Sequence, residues 1–188
     1  MTWFGIATYE LNGRTATGLA VGDKLYDARA VLKQSASALP FADVGALIAA
    51  WETDGAAAVE RLEAAARALE AGTLDAAPLA GHTLCVPYQP RRIFAAASNY
   101  YEHAQEMGTE LAPREESTPY MFMKAETSVV PTLANVVIPP HAERVDWEVE
   151  LAVVIGKAGR HIARCDRSAH AARPDSAAPA IAARINCA

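Results

Sequence analysis

Apolar and polar residues alternate along the first part of the chain. The alternation runs over residues 2–10 and 16–26, on either side of the stretch LNGR. An Asn-Gly pair between two alternating segments predicts a β-hairpin with a tight turn. The stretch GLAVGDKLYDA then continues as strand, turn and strand.

The period changes after Asp43, where apolar residues recur at intervals of three and four. This spacing predicts an amphipathic helix with Asp43 as its N-cap. A second helix is predicted over 56–71 and ends at Gly72. The apolar residues that carry the two patterns are Val44, Leu47, Ile48 and Trp51 in the first helix and Val59, Leu62, Ala66 and Leu69 in the second.

Further strands are predicted beyond a proline-bracketed linker at 73–90. They are indicated by the stretches RIFAAAS, YMFMKAETSVV, NVVIPP and, over 146–157, DWEVELAVVIGK. In the last of these, Val149, Leu151 and Val153 are expected on one buried face. Glu148 and Glu150 then share the opposite face, because strand side chains alternate.

The character of the chain changes again over 158–188. This segment has eleven alanines, five arginines, no lysine and no aromatic residue, and no period of 2 or 3.6 persists. It is expected to be low in complexity and disordered. A natural flexible tail is one explanation, and the abrupt change favours the other, a truncated or frameshifted reading frame.

Composition narrows the class of protein. The chain has 188 residues and a net charge of −5, with no basic stripe, which argues against a nucleic-acid partner. Three cysteines without CxxC spacing suit a reducing compartment. No secretory leader and no membrane-spanning apolar run are visible. A cytoplasmic protein without membrane contact is therefore expected.

Glu148 and Glu150 are the first candidate site. Two carboxylates held close repel each other, and a hard divalent cation turns that repulsion into attraction. Mg2+ takes oxygen ligands and leaves positions for water and substrate. The pattern therefore fits a divalent-cation site, and it fits equally a solvated strand face.

His103 and Glu106 form the second candidate site, in the stretch NYYEHAQE. Residues three apart meet on one face of a helix. A carboxylate beside an imidazole fixes its tautomer and raises the basicity of its other nitrogen, so such a pair can move a proton. An ordinary surface His–Glu pair is the alternative interpretation.

Together these stretches resemble the fumarylacetoacetate hydrolase family. The resemblance runs through RIFAAASNYYEHAQEMG, PYMFMKAETSVV, VVIPP and VDWEVELAVVIGK, in the family's order, and covers roughly residues 84–162. Residues 1–80 are similar to the small N-terminal domain of many members. The combination of stretches is specific, whereas any single one is not.

The resemblance implies site roles and a reaction class. Glu148 and Glu150 would be two of three carboxylate ligands to Mg2+ or Mn2+, His103 and Glu106 the acid–base dyad, and Lys124 a substrate contact or a surface lysine. The substrate would be a small 2-oxo acid, undergoing metal-dependent C–C hydrolysis, isomerisation, hydration or decarboxylation, as in the catabolism of aromatic compounds. The family also suggests a homodimer.

The family's Gly-Tyr turn and its third, aspartate ligand do not follow Lys157 in this sequence. We therefore expect an α+β protein with a small N-terminal α/β domain at 1–80, an incomplete mixed β-sandwich roll at 84–162 and a tail at 163–188. Weak Mg2+ binding and impaired turnover are expected. The alternatives are a non-catalytic remnant and an interaction module that pairs with an intact homologue.

Overall fold

The computed structural model describes residues 3–34, 43–97, 100–113, 115–143, 145 and 150–163, with the backbone alone described at several positions between 52 and 59. Strands and helices both occur in the described ranges, which agrees with the predicted α+β class. In chain order they are β1 (Phe4–Leu11), β2 (Arg14–Val21), β3 (Lys24–Asp27), α1 (Ala28–Gln34), α2 (Val44–Glu70), β4 (Thr83–Leu84), β5 (Ile93–Ala97), α3 (Tyr101–Glu106) and β6 (Tyr120–Lys124).

The chain divides into two compact units. The first combines 1–88 with 130–188, and the second is 89–129. The four strands β3-β2-β1-β4 form the sheet of the first unit, and β5 pairs with β6 in the second. The predicted boundaries at 80, 84 and 162, and the arrangement of a β-sandwich roll, remain predictions.

The predicted hairpin is observed. β1 and β2 pair antiparallel with Leu11 opposite Arg14. The two turn residues, Asn12 and Gly13, both have positive φ, at 53° and 73°. A two-residue turn of this kind matches the right-handed twist of the strands, and Asn and Gly are the residues that adopt it at least cost.

Local capping defines the helices of the first unit. The Asp43 carboxylate accepts a hydrogen bond from the Ala46 amide at 2.8 Å, as predicted for the N-cap of α2. Asp27 accepts in the same way from Ala30 at 2.6 Å and so starts α1, which the sequence pattern did not reveal. At the other end of α2, Gly72 has φ +66° and ends the helix where expected.

The two helices predicted between residues 43 and 72 are one continuous helix, α2, of 27 residues. The prediction of a break near residue 55 was therefore wrong. Gly55 lies in the middle of this helix, where a glycine costs only about 1 kcal/mol relative to alanine. The alanine-rich sequence around it offsets that cost, so the helix continues.

The hydrophobic core lies between the four-stranded sheet and the helices α1 and α2. Leu19 of β2 is fully buried, and Leu47 and Leu62 of α2 are almost fully buried. Both helices contact β2, so a single apolar layer joins the sheet to α1 and α2. The core residues are Phe4, Leu19, Val21, Tyr26, Ala28, Val31, Leu32, Leu47, Leu62, Ala65 and Ala66.

Tyr9 is buried beside the carboxylate that starts α1. Its hydroxyl donates a hydrogen bond of 2.6 Å to Asp27 Oδ2. Burial, followed by the hydrogen bond to Asp27 and the negative charge of that residue, raises the pKa of Tyr9 to about 12. The phenol therefore keeps its proton in the folded state at pH values where an unfolded tyrosine, with a pKa of about 10, has lost it.

The difference between the folded and unfolded pKa of Tyr9 predicts that the protein loses stability in alkali. Because the folded state holds more protons between pH 10 and pH 12, the free energy of unfolding should fall over that interval, by up to about 2 kcal/mol. Urea denaturation at a series of pH values measures the slope. Tyr9→Phe should remove this part of the slope, whereas Tyr120→Phe, at an exposed position, should retain it. Equal slopes in both variants would assign the effect to other groups.

Two predicted strands are not observed in the part of the chain that the structure describes. The stretch NVVIPP is irregular, and over 150–156 the backbone forms only an isolated bridge at Ile155. The face expected to be buried there is instead exposed at Leu151 and Val153, while Glu150 and Val154 are half-buried. The physical reason is that a strand needs hydrogen-bonding neighbours, which an alternating sequence does not supply by itself. Residues 146–149 and most of the predicted tail, 164–188, lie outside the described residues.

No helix in the described ranges is both long enough and apolar enough to cross a membrane.

Candidate functional site

The second unit presents His103 on the short helix α3. The helix starts after Tyr100, whose carbonyl accepts from the Ala104 amide at 3.2 Å. Beyond its end, both the amide and the hydroxyl of Thr109 donate to the Ala104 carbonyl, at 2.8 and 3.1 Å. Gly108, with φ +69°, makes the reversal possible. These bonds fix the backbone of the short helix and therefore the point from which the His103 side chain projects.

His103 and Glu106 lie together on one side of this turn. The distance from His103 Nδ1 to Glu106 Oε2 is 3.7 Å, with the two side chains 50% and 79% exposed. This distance is longer than a hydrogen bond, so the contact is an ion pair when the imidazole carries a proton. The other ring nitrogen, Nε2, is left for a substrate or a water molecule.

Lys124 belongs to the same unit. It closes β6, directly opposite Ile93 at the start of β5. Just beyond it, the Glu126 carbonyl accepts a hydrogen bond of 2.9 Å from the Gln89 side chain, and Ser128 closes the turn by donating to Ala125. The end of β6 is therefore tied to the segment that precedes β5.

The carboxylates proposed as metal ligands are placed differently. Glu150 is half-buried in the first unit, on the more covered side of its extended segment. Glu148 lies outside the described residues. Within the described ranges, no three His, Cys, Asp or Glu side chains are grouped so as to hold a metal ion. The structure thus brings His103 and Glu106 together, whereas the pairing of Glu148 with Glu150 remains a prediction.

A polar cluster in the first unit was not anticipated from the sequence. The His82 ring stands edge-on to Tyr9, with 6.3 Å between ring centroids. Its Nδ1 atom is buried and has no hydrogen-bond partner among the described residues. Tyr9, Asp27 and His82 are far apart in the chain. The antiparallel strands β1, β2 and β3 bring Tyr9 near Asp27, and the pairing of β1 with β4 brings His82 near Tyr9. No short motif could therefore have indicated them.

Comparison with known proteins places residues 92–173 in one family. This segment matches the family model described as the C-terminal domain of fumarylacetoacetate (FAA) hydrolase. The human protein named oxaloacetate tautomerase FAHD2A, mitochondrial, is 41% identical over 112 residues, which are 59% of this chain and 34% of the human protein. An uncharacterized protein of Pyrococcus abyssi is 45% identical over 74 residues, which are 39% of this chain and 31% of that protein.

A solved structure shares the fold. It is the fumarylacetoacetate hydrolase of the psychrophilic Exiguobacterium antarcticum, with a TM-score of 0.57, 24% identity, and coverage of 89% of this chain and 52% of that one. The alignments span about a third of the length of the curated relatives. The segment 92–173 that matches the fumarylacetoacetate hydrolase family model includes His103, Glu106 and Lys124.

Proposed function

We propose that the chain acts in metal-dependent hydrolysis or isomerisation of 2-oxo or 2,4-dioxo acids, as in the catabolism of aromatic compounds. The observation that carries the proposal is the His103–Glu106 pair, held 3.7 Å apart on a fixed helical turn inside the family segment. A carboxylate at this distance stabilises an imidazolium ion. Such a pair suits reactions that begin by removing a proton next to an oxo group.

In the proposed reaction the His103 imidazole takes a proton from the carbon beside the oxo group. The Glu106 carboxylate stabilises the positive charge that develops on the ring. In a keto–enol exchange the imidazolium then returns the proton to the oxygen. In C–C hydrolysis the imidazole instead takes the proton from a water molecule whose oxygen attacks the carbonyl carbon, and it gives that proton to the leaving carbon as the C–C bond breaks. Lys124 is proposed to contact the substrate carboxylate as a fixed positive charge.

Glu148 and Glu150 are the proposed metal ligands. Both supply carboxylate oxygens, the donor type that Mg2+ and Mn2+ take, and the half-buried position of Glu150 suits a partly shielded ligand. A bound ion would supply Lewis-acid polarisation of the substrate's oxo oxygen. With two carboxylates in place of the family's three, we expect Mg2+ to bind weakly.

Oxaloacetate is the first substrate to test, because the human relative is named an oxaloacetate tautomerase. Its keto–enol exchange requires only the proton transfers proposed for His103. The assay follows the ultraviolet absorbance of the enol with and without Mg2+ or Mn2+, and acylpyruvate cleavage is the second assay. Metal-dependent turnover supports the proposal. No turnover of either substrate with metal bound would favour the non-catalytic alternative.

Glu150→Gln should raise the Mg2+ dissociation constant at least about tenfold, because losing one anionic ligand weakens the hold on a cation that dehydrates reluctantly. Titration calorimetry with Mg2+ alone measures the constant without relying on turnover. Glu143→Gln is the matched control, since Glu143 is an exposed glutamate of the same unit outside the proposed ligand pair. Equal Mg2+ dissociation constants in the two variants would show that Glu150 is not a ligand of the metal.

The remaining expectations are also proposals: a domain division at 1–80, 84–162 and 163–188, a homodimer, and a cytoplasmic location. Size-exclusion chromatography with light scattering tests the dimer, limited proteolysis tests the boundaries, and cell fractionation tests the compartment.

A further inference from the structure

The helices α2 and α3 end in the same six-residue pattern. It reads ALEAGT over 68–73 and AQEMGT over 104–109, so alanine, glutamate, glycine and threonine recur at the same four positions. The glycine has positive φ in both, +66° at Gly72 and +69° at Gly108. A glycine in this conformation reverses the backbone, and the amides that follow the helix then donate to carbonyls of its last turn.

At each of these helix ends one carbonyl accepts two hydrogen bonds from the same threonine. Thr109 donates from its amide and its hydroxyl to the Ala104 carbonyl, at 2.8 and 3.1 Å. Thr73 donates in the same way to the Ala68 carbonyl, at 3.0 and 3.2 Å. A carbonyl oxygen has two lone pairs, so the hydroxyl uses an acceptor position that the amide leaves open. We call this arrangement, a threonine that donates twice to the alanine five residues before it, the threonine cap.

The two threonine caps end helices of very different length. α2 has 27 residues and buries Leu47 and Leu62 in the core, so packing holds it independently of its last turn. α3 has six residues, of which Ala104 is the buried one. A helix this short is unstable by itself, because starting a helix costs more than the bonds of one turn return. The bonds to the Ala104 carbonyl therefore contribute a larger share of the stability of α3.

We propose that Thr109 is a positioning residue for the His103–Glu106 pair. Ala104 follows His103 directly, and the His103 carbonyl accepts from the Met107 amide at 3.1 Å. Holding the Ala104 carbonyl thus fixes the backbone from which both members of the pair, 3.7 Å apart, project. The effect of Thr109 on turnover rests on the proposed function, whereas its effect on the contact between the two side chains does not.

The first test measures that contact without turnover. NMR on the full chain follows the His103 ring proton, identified by its absence in His103→Asn, and records how far Glu106→Gln moves it at a fixed pH. Thr109→Val removes the hydroxyl and keeps the size and branching of the side chain. In its presence the shift caused by Glu106→Gln should fall at least about twofold, because residues that act through one contact couple. Thr109→Ser keeps the hydroxyl and should restore the shift.

Thr73→Val is the matched control, because it removes the same hydroxyl from the other threonine cap. The shift of the His103 proton should persist in it. In the oxaloacetate assay Thr109→Val should lower kcat about tenfold and leave KM within about twofold, since a misplaced pair slows the proton transfer more than it weakens substrate binding. Thr73→Val should change neither constant.

The two measurements separate this proposal from the proposed function. An unaltered chain without turnover would contradict the proposed function, and the ring-proton shifts would still decide the role of Thr109. The positioning role would be overturned by any of four results: no shift on Glu106→Gln in the unaltered chain, a full shift in Thr109→Val, no restoration by Thr109→Ser, or an active chain in which Thr109→Val and Thr73→Val have equal kcat.

Discussion

Replacing His103 with asparagine should lower kcat/KM for oxaloacetate, measured with Mg2+ present, by about 100- to 1,000-fold, which is the usual contribution of a positioned acid–base group. The reason is that the His103 imidazole is the group proposed to carry the substrate proton, and an asparagine side chain cannot take its place. Glu106→Gln should cost less, about tenfold, since the imidazole remains and loses only its neighbouring charge. Initial rates over a range of substrate concentrations measure both effects.

Glu102→Gln is the control for this comparison, because Glu102 is exposed on the same helix and outside the His103–Glu106 pair. Its rate should match that of the unaltered chain. Mg2+ binding should persist in His103→Asn, which separates a lost proton carrier from a misfolded protein. Turnover that survives the His103 substitution would contradict the assignment of His103 as the acid–base group, even if the chain proved to be an enzyme.

Leu19→Ala should lower the free energy of unfolding by about 3 kcal/mol, the range measured when a buried leucine is truncated. Leu19 has no exposed surface and lies where β2 meets the helices, so its removal leaves a cavity in the first unit's core. Urea denaturation followed by circular dichroism gives the value.

The chain supplies a matched control in Leu133, which belongs to the same unit and is 96% exposed. Leu133→Ala should change stability by no more than about 0.5 kcal/mol. A comparable loss in both variants would mean that residue 133 is covered in solution.

Features set by neighbouring residues could be predicted from the sequence. The turn at Asn12 and Gly13 and the Asp43 cap each depend on contacts within a few residues, and each is observed. The meeting of His103 with Glu106 is of the same kind, because helical geometry alone brings residues three apart together.

Features that depend on distant partners could not be predicted in this way. An alternating pattern at 150–156 separates two faces of the backbone, but it does not say which face is covered or whether a neighbouring strand is present. Leu151 and Val153 are exposed for this reason, although their pattern suggested burial. The position of Glu150 relative to His103 depends on tertiary packing, which spacing in the chain does not encode.

The pairing of β1 with β4 has a consequence for the order of folding. The Thr8 hydroxyl donates to the Pro87 carbonyl at 2.8 Å, across 79 positions of sequence. Closing a loop of this length costs about 4 kcal/mol in chain entropy, whereas β1, β2 and β3 are joined by turns of only two residues. The three-stranded meander should therefore form early, and β4, only two residues long, should join last and be the first strand of its sheet to detach in the native state.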